Sequence, residues 1–294
     1  MMRYAISHVT TVKYASPVRL AQFNVRLRPA DWPGQTVRDF SLAIDPQPPR
    51  LTEGEGGYYV NETRFILKDP IDQLRVESRF TVECEPLPFF IDDASGPRLA
   101  ELRELAMKKP DLSALAPANY IFASPGAAPE REIAGWASGL LAEDMPVMEA
   151  GRTLMHTIYE QFAYDPDATQ ADTPPIEAFR KRHGVCQDFS HVMIIAARSL
   201  GIPAAYVSGY LRTIPPAGKP RLIGADAMHA WVNLWCGDEL GWLGFDPTND
   251  KLADTDHIFI GMGRDYGDVA PLDGTFRGST KQDMSFSVDV APQD

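Results

Sequence analysis

From Tyr4 to about Cys84, apolar and polar residues alternate in short runs such as Thr10-Thr11-Val12-Lys13-Tyr14, Phe23-Asn24-Val25-Arg26-Leu27 and Arg75-Val76-Glu77-Ser78-Arg79-Phe80-Thr81-Val82. A period of two puts successive side chains on opposite faces of a strand. Turn residues separate the runs at Pro33-Gly34, Pro46-Gln47-Pro48-Pro49 and Glu53-Gly54-Glu55-Gly56-Gly57. The pattern predicts an all-β, antiparallel domain over residues 1–90. The stretch from Leu87 to Pro97, with Pro88, Gly96 and Pro97, reads as a boundary, and residues 91–294 form a second unit.

Beyond that boundary the period becomes helical, across Leu99 to Lys108 and again from Glu130 to Leu141, with a Pro- and Ala-rich stretch between. Val147, Gly151, Leu154, Ile158 and Phe162 recur at steps of four and three, the stripe of a helix facing a core. A short helical piece, Ile176 to Arg182, precedes Gly184-Val185-Cys186. The segment Gln187 to Leu200 is apolar almost all round at Val192 to Ala197, which predicts a buried helix ended by Gly201 and Pro203. Strands follow at Ala205 to Arg212, Met228 to Trp235, Leu240 to Asp246 and Met284 to Val290, so the second unit is α+β.

Candidate chemistry concentrates where the buried helix starts. A thiol at a helix N-terminus sits beside unpaired N–H groups and the positive end of the dipole, which stabilise the thiolate and lower a pKa that is ordinarily about 8.5. Cys186 occupies that place, whereas a cysteine beside an apolar helix is otherwise just a small hydrophobe. In the strand Met228 to Trp235, His229, Trp231, Asn233 and Trp235 share the face opposite Ala230, Val232 and Leu234. The next strand ends in Asp246, on the face of Trp242 and Gly244. If Gly237-Asp238 makes a two-residue hairpin turn, His229 lies directly across from Asp246, close enough for the carboxylate to hold the imidazole. A nucleophile, a base and an orienting carboxylate follow, in Cys186, His229 and Asp246. Tyr164, Gln187 and Trp231 are candidates for an oxyanion hole or the cleft. His156 reads as an ordinary helical residue, Asp188 as a first-turn acid suited to the dipole, and His183 and His191 as unassigned.

Composition narrows the partners. The 294 residues are 44% hydrophobic and carry a net charge of −12, which supports a globular core and opposes binding to nucleic acid or an anionic membrane. No apolar run reaches the roughly 18 residues of a membrane span, and the first residues lack the pattern of a signal peptide. Three cysteines fit a reducing cytoplasm better than a disulfide framework. Neither a C-x-x-C or H-E-x-x-H zinc pattern nor a calcium loop is present, so no metal or cofactor is expected.

Taken together, Gly184-Val185-Cys186-Gln187-Asp188-Phe189-Ser190-His191, Leu200-Gly201-Ile202-Pro203-Ala204, Ser208-Gly209-Tyr210, His229-Ala230-Trp231-Val232 and Phe245-Asp246-Pro247-Thr248-Asn249 resemble the bacterial transglutaminase-like superfamily. The resemblance covers Val147 to Val269, and the β-rich segment before Cys84 is similar to the N-terminal domain such proteins often carry. It implies a papain-like core with the cysteine on a central helix against an antiparallel sheet or barrel, and a triad matching Cys186, His229 and Asp246. Members include crosslinking transferases, amidases and peptidases, and some are inactive. The expected activity is thioester formation from a peptide or glutamine-type amide, with hydrolysis favoured over crosslinking. The alternative is a peptide- or protein-binding module that keeps the triad as scaffold.

Overall fold

A computed structural model describes residues 1–86, 92–213, 226–278 and 280–293. The alternating N-terminal pattern forms β1 (Met2–Val25), β2 (Gln35–Asp45), β3 (Leu51–Glu55), β4 (Asn61–Leu67) and β5 (Ile71–Cys84), ordered β2-β5-β1-β4-β3. Along β1, Tyr4, Ile6, His8, Thr10, Val12 and Tyr14 are buried in strict alternation. That is the period-two burial of a sheet with one face on a core.

Helices dominate next: α1 (Leu99–Lys108), α2 (Arg131–Leu140) and α3 (Val147–Gln161). A two-residue strand β6 (Ala163–Tyr164) pairs in parallel with β7 (His183–Gly184), and between them lies α4 (Pro175–Lys181). Helix α5 (Cys186–Ser199) follows, then β8 (Ala204–Leu211), β9 (Met228–Trp235), β10 (Trp242–Asp246), β11 (Lys251–Leu252) and β12 (His257–Gly263). These five strands form an antiparallel sheet ordered β11-β10-β9-β8-β12. The chain closes with α6 (Tyr266–Val269), β13 (Leu272–Arg277) and β14 (Gln282–Gln293).

Helix α5 packs on β8 and β9 with one side and on α2, α3 and α4 with the other, so Val192, Met193, Ile194 and Ile195 are all buried. Burial of such side chains is worth about 2 kcal/mol each, enough to hold a helix that has no solvated face. Arg198, also buried, anchors its C-terminal end by donating to the carbonyls of Ala204, Phe122 and Arg264. Among the described residues no helix is long and apolar enough to cross a membrane.

Two expectations change. The turn joining β9 to β10 is not a two-residue hairpin: Trp235 pairs with Trp242 and Val232 with Phe245. The longer connection is closed by Cys236 N–H to Gly241 O at 2.7 Å and Gly241 N–H to Gly237 O at 2.8 Å. Gly237 and Gly241 supply the left-handed φ of +93° and +66° that this loop needs. The register therefore slips by two residues, which preserves side-chain parity. Asp246 stays on the face of His229 but lies diagonal to it rather than opposite. The second change concerns the last strands, expected with the second unit. β13 and β14 instead pair with β1, from Arg3 opposite Gln293 to Tyr14 opposite Gln282 and from Arg19 opposite Arg277 to Val25 opposite Leu272. They cover an edge of β1 that would otherwise present unpaired backbone groups. The boundary expected after residue 90 falls within residues 87–91, outside the described residues.

Candidate active site

Cys186 is the first residue of α5, half-buried, with the apolar length of the helix behind it. Its position is set by Asp188, whose Oδ2 accepts the Val185 N–H at 2.8 Å and the Thr169 hydroxyl at 2.7 Å. That carboxylate caps the helix and ties down the loop after Tyr164. Gly184 is required here, because a Cβ on it would lie 2.7 Å from Asp188 Oδ2. The N–H groups at the start of α5 have no carbonyl one turn earlier and stay free to stabilise an anion. Tyr164, opposite Gly184 in the β6–β7 pair, is 59% exposed, and burial together with the nearby Cys186 raises its phenol pKa.

Facing Cys186, the His229 imidazole donates from Nε2 to Asp246 Oδ2 at 2.8 Å. With Nε2 engaged, Nδ1 is the nitrogen left for the hydrogen bond that joins His229 to the Cys186 side chain. Burial disfavours charge on this ring, but the hydrogen bonds with Asp246 and Cys186 and their negative charges outweigh it, and the pKa is pushed up to about 10. Asp246 is fully buried. Burial opposes its charge too, yet the donors from His229 and His257 hold its carboxyl well below the usual range. Its Oδ2 also accepts from Asn249 Nδ2 at 2.7 Å, while Oδ1 accepts the Thr248 N–H at 2.9 Å.

Cys186, His229 and Asp246 are therefore brought together. The other candidates fare differently. Gln187 turns its side chain to the Ala171 carbonyl at 2.9 Å, leaving only its backbone N–H for the site. Trp231 is 2% exposed and stacks with His229 at 6.2 Å between ring centroids, so it packs beside the base instead of lining an open cleft. It fits because Gly209 lacks the Cβ that would lie 2.5 Å from the indole. His156 is exposed and bonded to Asp250 at 2.8 Å, and His183 is exposed and bonded to the Lys181 carbonyl. His191 is buried, accepts the Tyr266 N–H at 3.2 Å, and is lowered by that burial to about 4.

Sequence reading missed His257, at the start of β12, which donates from Nε2 to Asp246 Oδ2 at 3.1 Å. Nothing local marks it: the residue stands 11 positions beyond Asp246, in a strand reached only through the sheet order. Asn249 was visible only as part of the Phe245 to Asn249 motif. His229, Asp246 and His257 offer ligand atoms within 4.8 Å of one another, and two imidazoles with a carboxylate suit zinc. As these atoms stand, hydrogen bonds of 2.8 and 3.1 Å to a single carboxylate oxygen join them.

Comparison with known proteins converges on the same region. Residues 134–247 match the family described as the transglutaminase-like superfamily, and residues 4–83 match the bacterial transglutaminase-like N-terminal region. An uncharacterized protein of Mycobacterium tuberculosis is 35% identical over 294 residues, covering 99% of this chain and 93% of that protein. One of Mycobacterium leprae is 30% identical over 291 residues, covering 99% of each. Among solved structures, the fold is similar to that of a chain from Cytophaga hutchinsonii titled a "Putative Cysteine Protease", with a TM-score of 0.74, 20% identity, and coverage of 100% of this chain and 92% of that one.

Proposed function

Because the chain belongs to the transglutaminase-like superfamily and carries its bacterial N-terminal region, we propose that it is a thiol-dependent acyl-transfer enzyme acting on peptide or glutamine-type amides. The observation that carries this reading is the hydrogen-bonded chain from Cys186 through His229 to Asp246, with the thiol at the start of a buried helix. In this reading the proton shared between Cys186 and His229 already rests on His229 Nδ1, so Cys186 attacks as a thiolate beside an imidazolium that Asp246 steadies. The thiolate adds to the amide carbonyl, and the oxyanion is met by the free N–H groups at the start of α5. The imidazolium then protonates the departing amine or ammonia, leaving a thioester on Cys186. Water, giving a proton back to His229, releases the acid and restores the thiolate beside the imidazolium. Hydrolysis is the favoured outcome, since no feature marks a site for a second amine.

The substrate is a peptide or protein. A reducing cytoplasm suits a chain whose three cysteines are all free. The test is intact mass of a peptide library containing glutamine amides, incubated with wild type or Cys186→Ala, with and without a primary amine. Cleavage or ammonia loss that needs Cys186 supports the hydrolase, amine incorporation makes the protein a transferase, and identical spectra from the two proteins would favour a binding module.

A further inference from the structure

The groups that hold Asp246 are asymmetric in origin. His229 comes from β9, the strand beside β10, and Asn249 from the turn after β10, whereas His257 comes from β12, the outer strand of the five-stranded sheet on the far side of β8. The His257 side chain is 1% exposed, and its ring meets the edge of Trp231 at 5.2 Å between centroids. Its protonation pattern follows from its neighbours. Nε2 faces the Asp246 carboxylate, which can only accept, so Nε2 carries a ring proton aimed at Oδ2, while Nδ1 lies 3.1 Å from the Asp254 N. The Asp254 carboxylate, 3.2 Å from Nδ1, already takes the Asp256 N–H at 2.9 Å and faces Lys251 at 3.4 Å.

One edge of β12 is paired with β8, where His257 stands opposite Leu211, and its other contacts come from the N-terminal unit. Tyr4 donates its hydroxyl to Asp256 at 2.6 Å, one residue before His257. Gln35 grips Phe259, two residues after it, through both N–H to Oε1 and Nε2 to O, each at 2.8 Å, and Trp32 stacks on Phe259 at 4.1 Å. Ala30 N–H to Ile260 O at 2.8 Å and Met262 N–H to Tyr59 O at 2.9 Å continue the grip along the outer edge.

Resting on the thiol-enzyme reading above, we propose that His257 is a positioning residue that locks Asp246, and through it His229, in the working orientation, and that the N-terminal β unit, together with β8, holds His257 in place. With one imidazole N–H and Asn249 already on Oδ2, a second imidazole donor leaves the carboxylate no freedom to turn away from His229. The structure thereby gives the N-terminal unit a part in the chemistry that needs no contact with substrate.

The test needs no substrate. Alkylation of Cys186 by iodoacetate, followed by peptide mass mapping across pH, reads the thiolate on its acid limb and, because the reagent is anionic, the His229 imidazolium on its alkaline limb. His257→Gln keeps an N–H near the place of Nε2, while His257→Met fills similar volume without a donor. Both lose Nδ1, and of the two only Gln carries an N–H donor. The Met variant should react at least about tenfold more slowly near neutral pH, the scale of loss when an orienting partner is removed. Its alkaline limb should fall to lower pH, while the Gln variant stays close to wild type in both respects. Coincident profiles for wild type, Gln and Met would overturn the proposal. A wild-type profile with no alkaline limb would instead overturn the Cys186–His229 pairing, and the proposal with it. Should the Met variant not fold, the tautomer of His257 in wild type, read from its ring ¹⁵N shifts, decides: Nε2–H supports the lock and Nδ1–H removes it.

Discussion

At the scale of single residues, the site is a balance between burial and hydrogen bonds. His229 sits where burial should strip its charge, yet its partners hold the imidazolium up to about 10. The folded chain thus keeps a proton that an unfolded chain releases near 6.5, so the stabilisation from this pair is full below about 6.5 and is lost as pH rises towards 10. Urea midpoints measured from pH 6 to 10 should fall for wild type and fall less for His229→Gln. Asp246→Asn keeps the shape but removes the negative charge that two imidazoles share. Turnover should then drop by a factor on the order of 10³ to 10⁴, as when the carboxylate of an analogous triad is made an amide. The alkaline limit of the pH–rate profile should drop below about 10 in the same variant. Unchanged turnover would remove Asp246 from the reading.

At the scale of elements, the sheet brings its groups together by close approach. A Cβ at Gly209 would lie 2.3 Å from the Ile258 carbonyl and 2.5 Å from the Trp231 ring, so β8, β12 and the indole all meet over one hydrogen atom. Gly209→Ala should cost roughly 1–3 kcal/mol, as overpacking of a tight core does. Because Trp231 lies beside both His229 and His257, Cys186 alkylation should slow as well, which a thermal melt and the iodoacetate assay would read separately. Helix α5 was legible in the apolar run Val192 to Ala197 and in Gly201 and Pro203 at its end, because the turns packed between sheet and helices must be largely apolar. The β9–β10 register was less legible, since Gly-Asp suits a short turn and only the pairing of Trp235 with Trp242 shows that a longer one forms. The His–Asp contact survived the slip because parity, which sequence does report, matters more to it than exact opposition.

At the scale of the whole molecule, the two ends of the chain are one structure. β14 runs beside β1 for twelve paired residues, burying Val288 and Val290 in a cluster with Tyr4, Ile6, Tyr210 and Ile258. Removing residues 272–293 should therefore lower the melting temperature of the entire protein and raise dye binding to exposed apolar surface, not leave an intact second unit. The same junction holds His8, buried between Tyr210 and Thr10 at 2.9 Å from each, and lowered by that burial to about 4. Below about 6.5 the unfolded chain takes up a proton that folded His8 refuses, so stability falls as pH drops from 6.5 to about 4. The loss is on the order of 3 kcal/mol at about 1.4 kcal/mol per pH unit. His8→Gln should flatten that part of the stability curve. His191 on α5, packed against Tyr206 of β8 and accepting the Tyr266 N–H of α6, adds a second loss in the same window.

Sequence by itself determined what local periodicity and local chemistry dictate: a β-rich first part, a buried helix with a thiol at its start, and a histidine and a carboxylate sharing one face of neighbouring strands. Those features depend on side-chain repeats of two and 3.6 residues, which are visible along the chain. Tertiary structure alone decided the rest. Only the sheet order places β12 on the far side of β8 and brings His257 to Asp246, and only the edge of β1 calls β13 and β14 back from the end of the chain. Such contacts join residues whose separation leaves no local trace, because what selects them is the need to satisfy a buried charge or an open strand edge once the fold has closed.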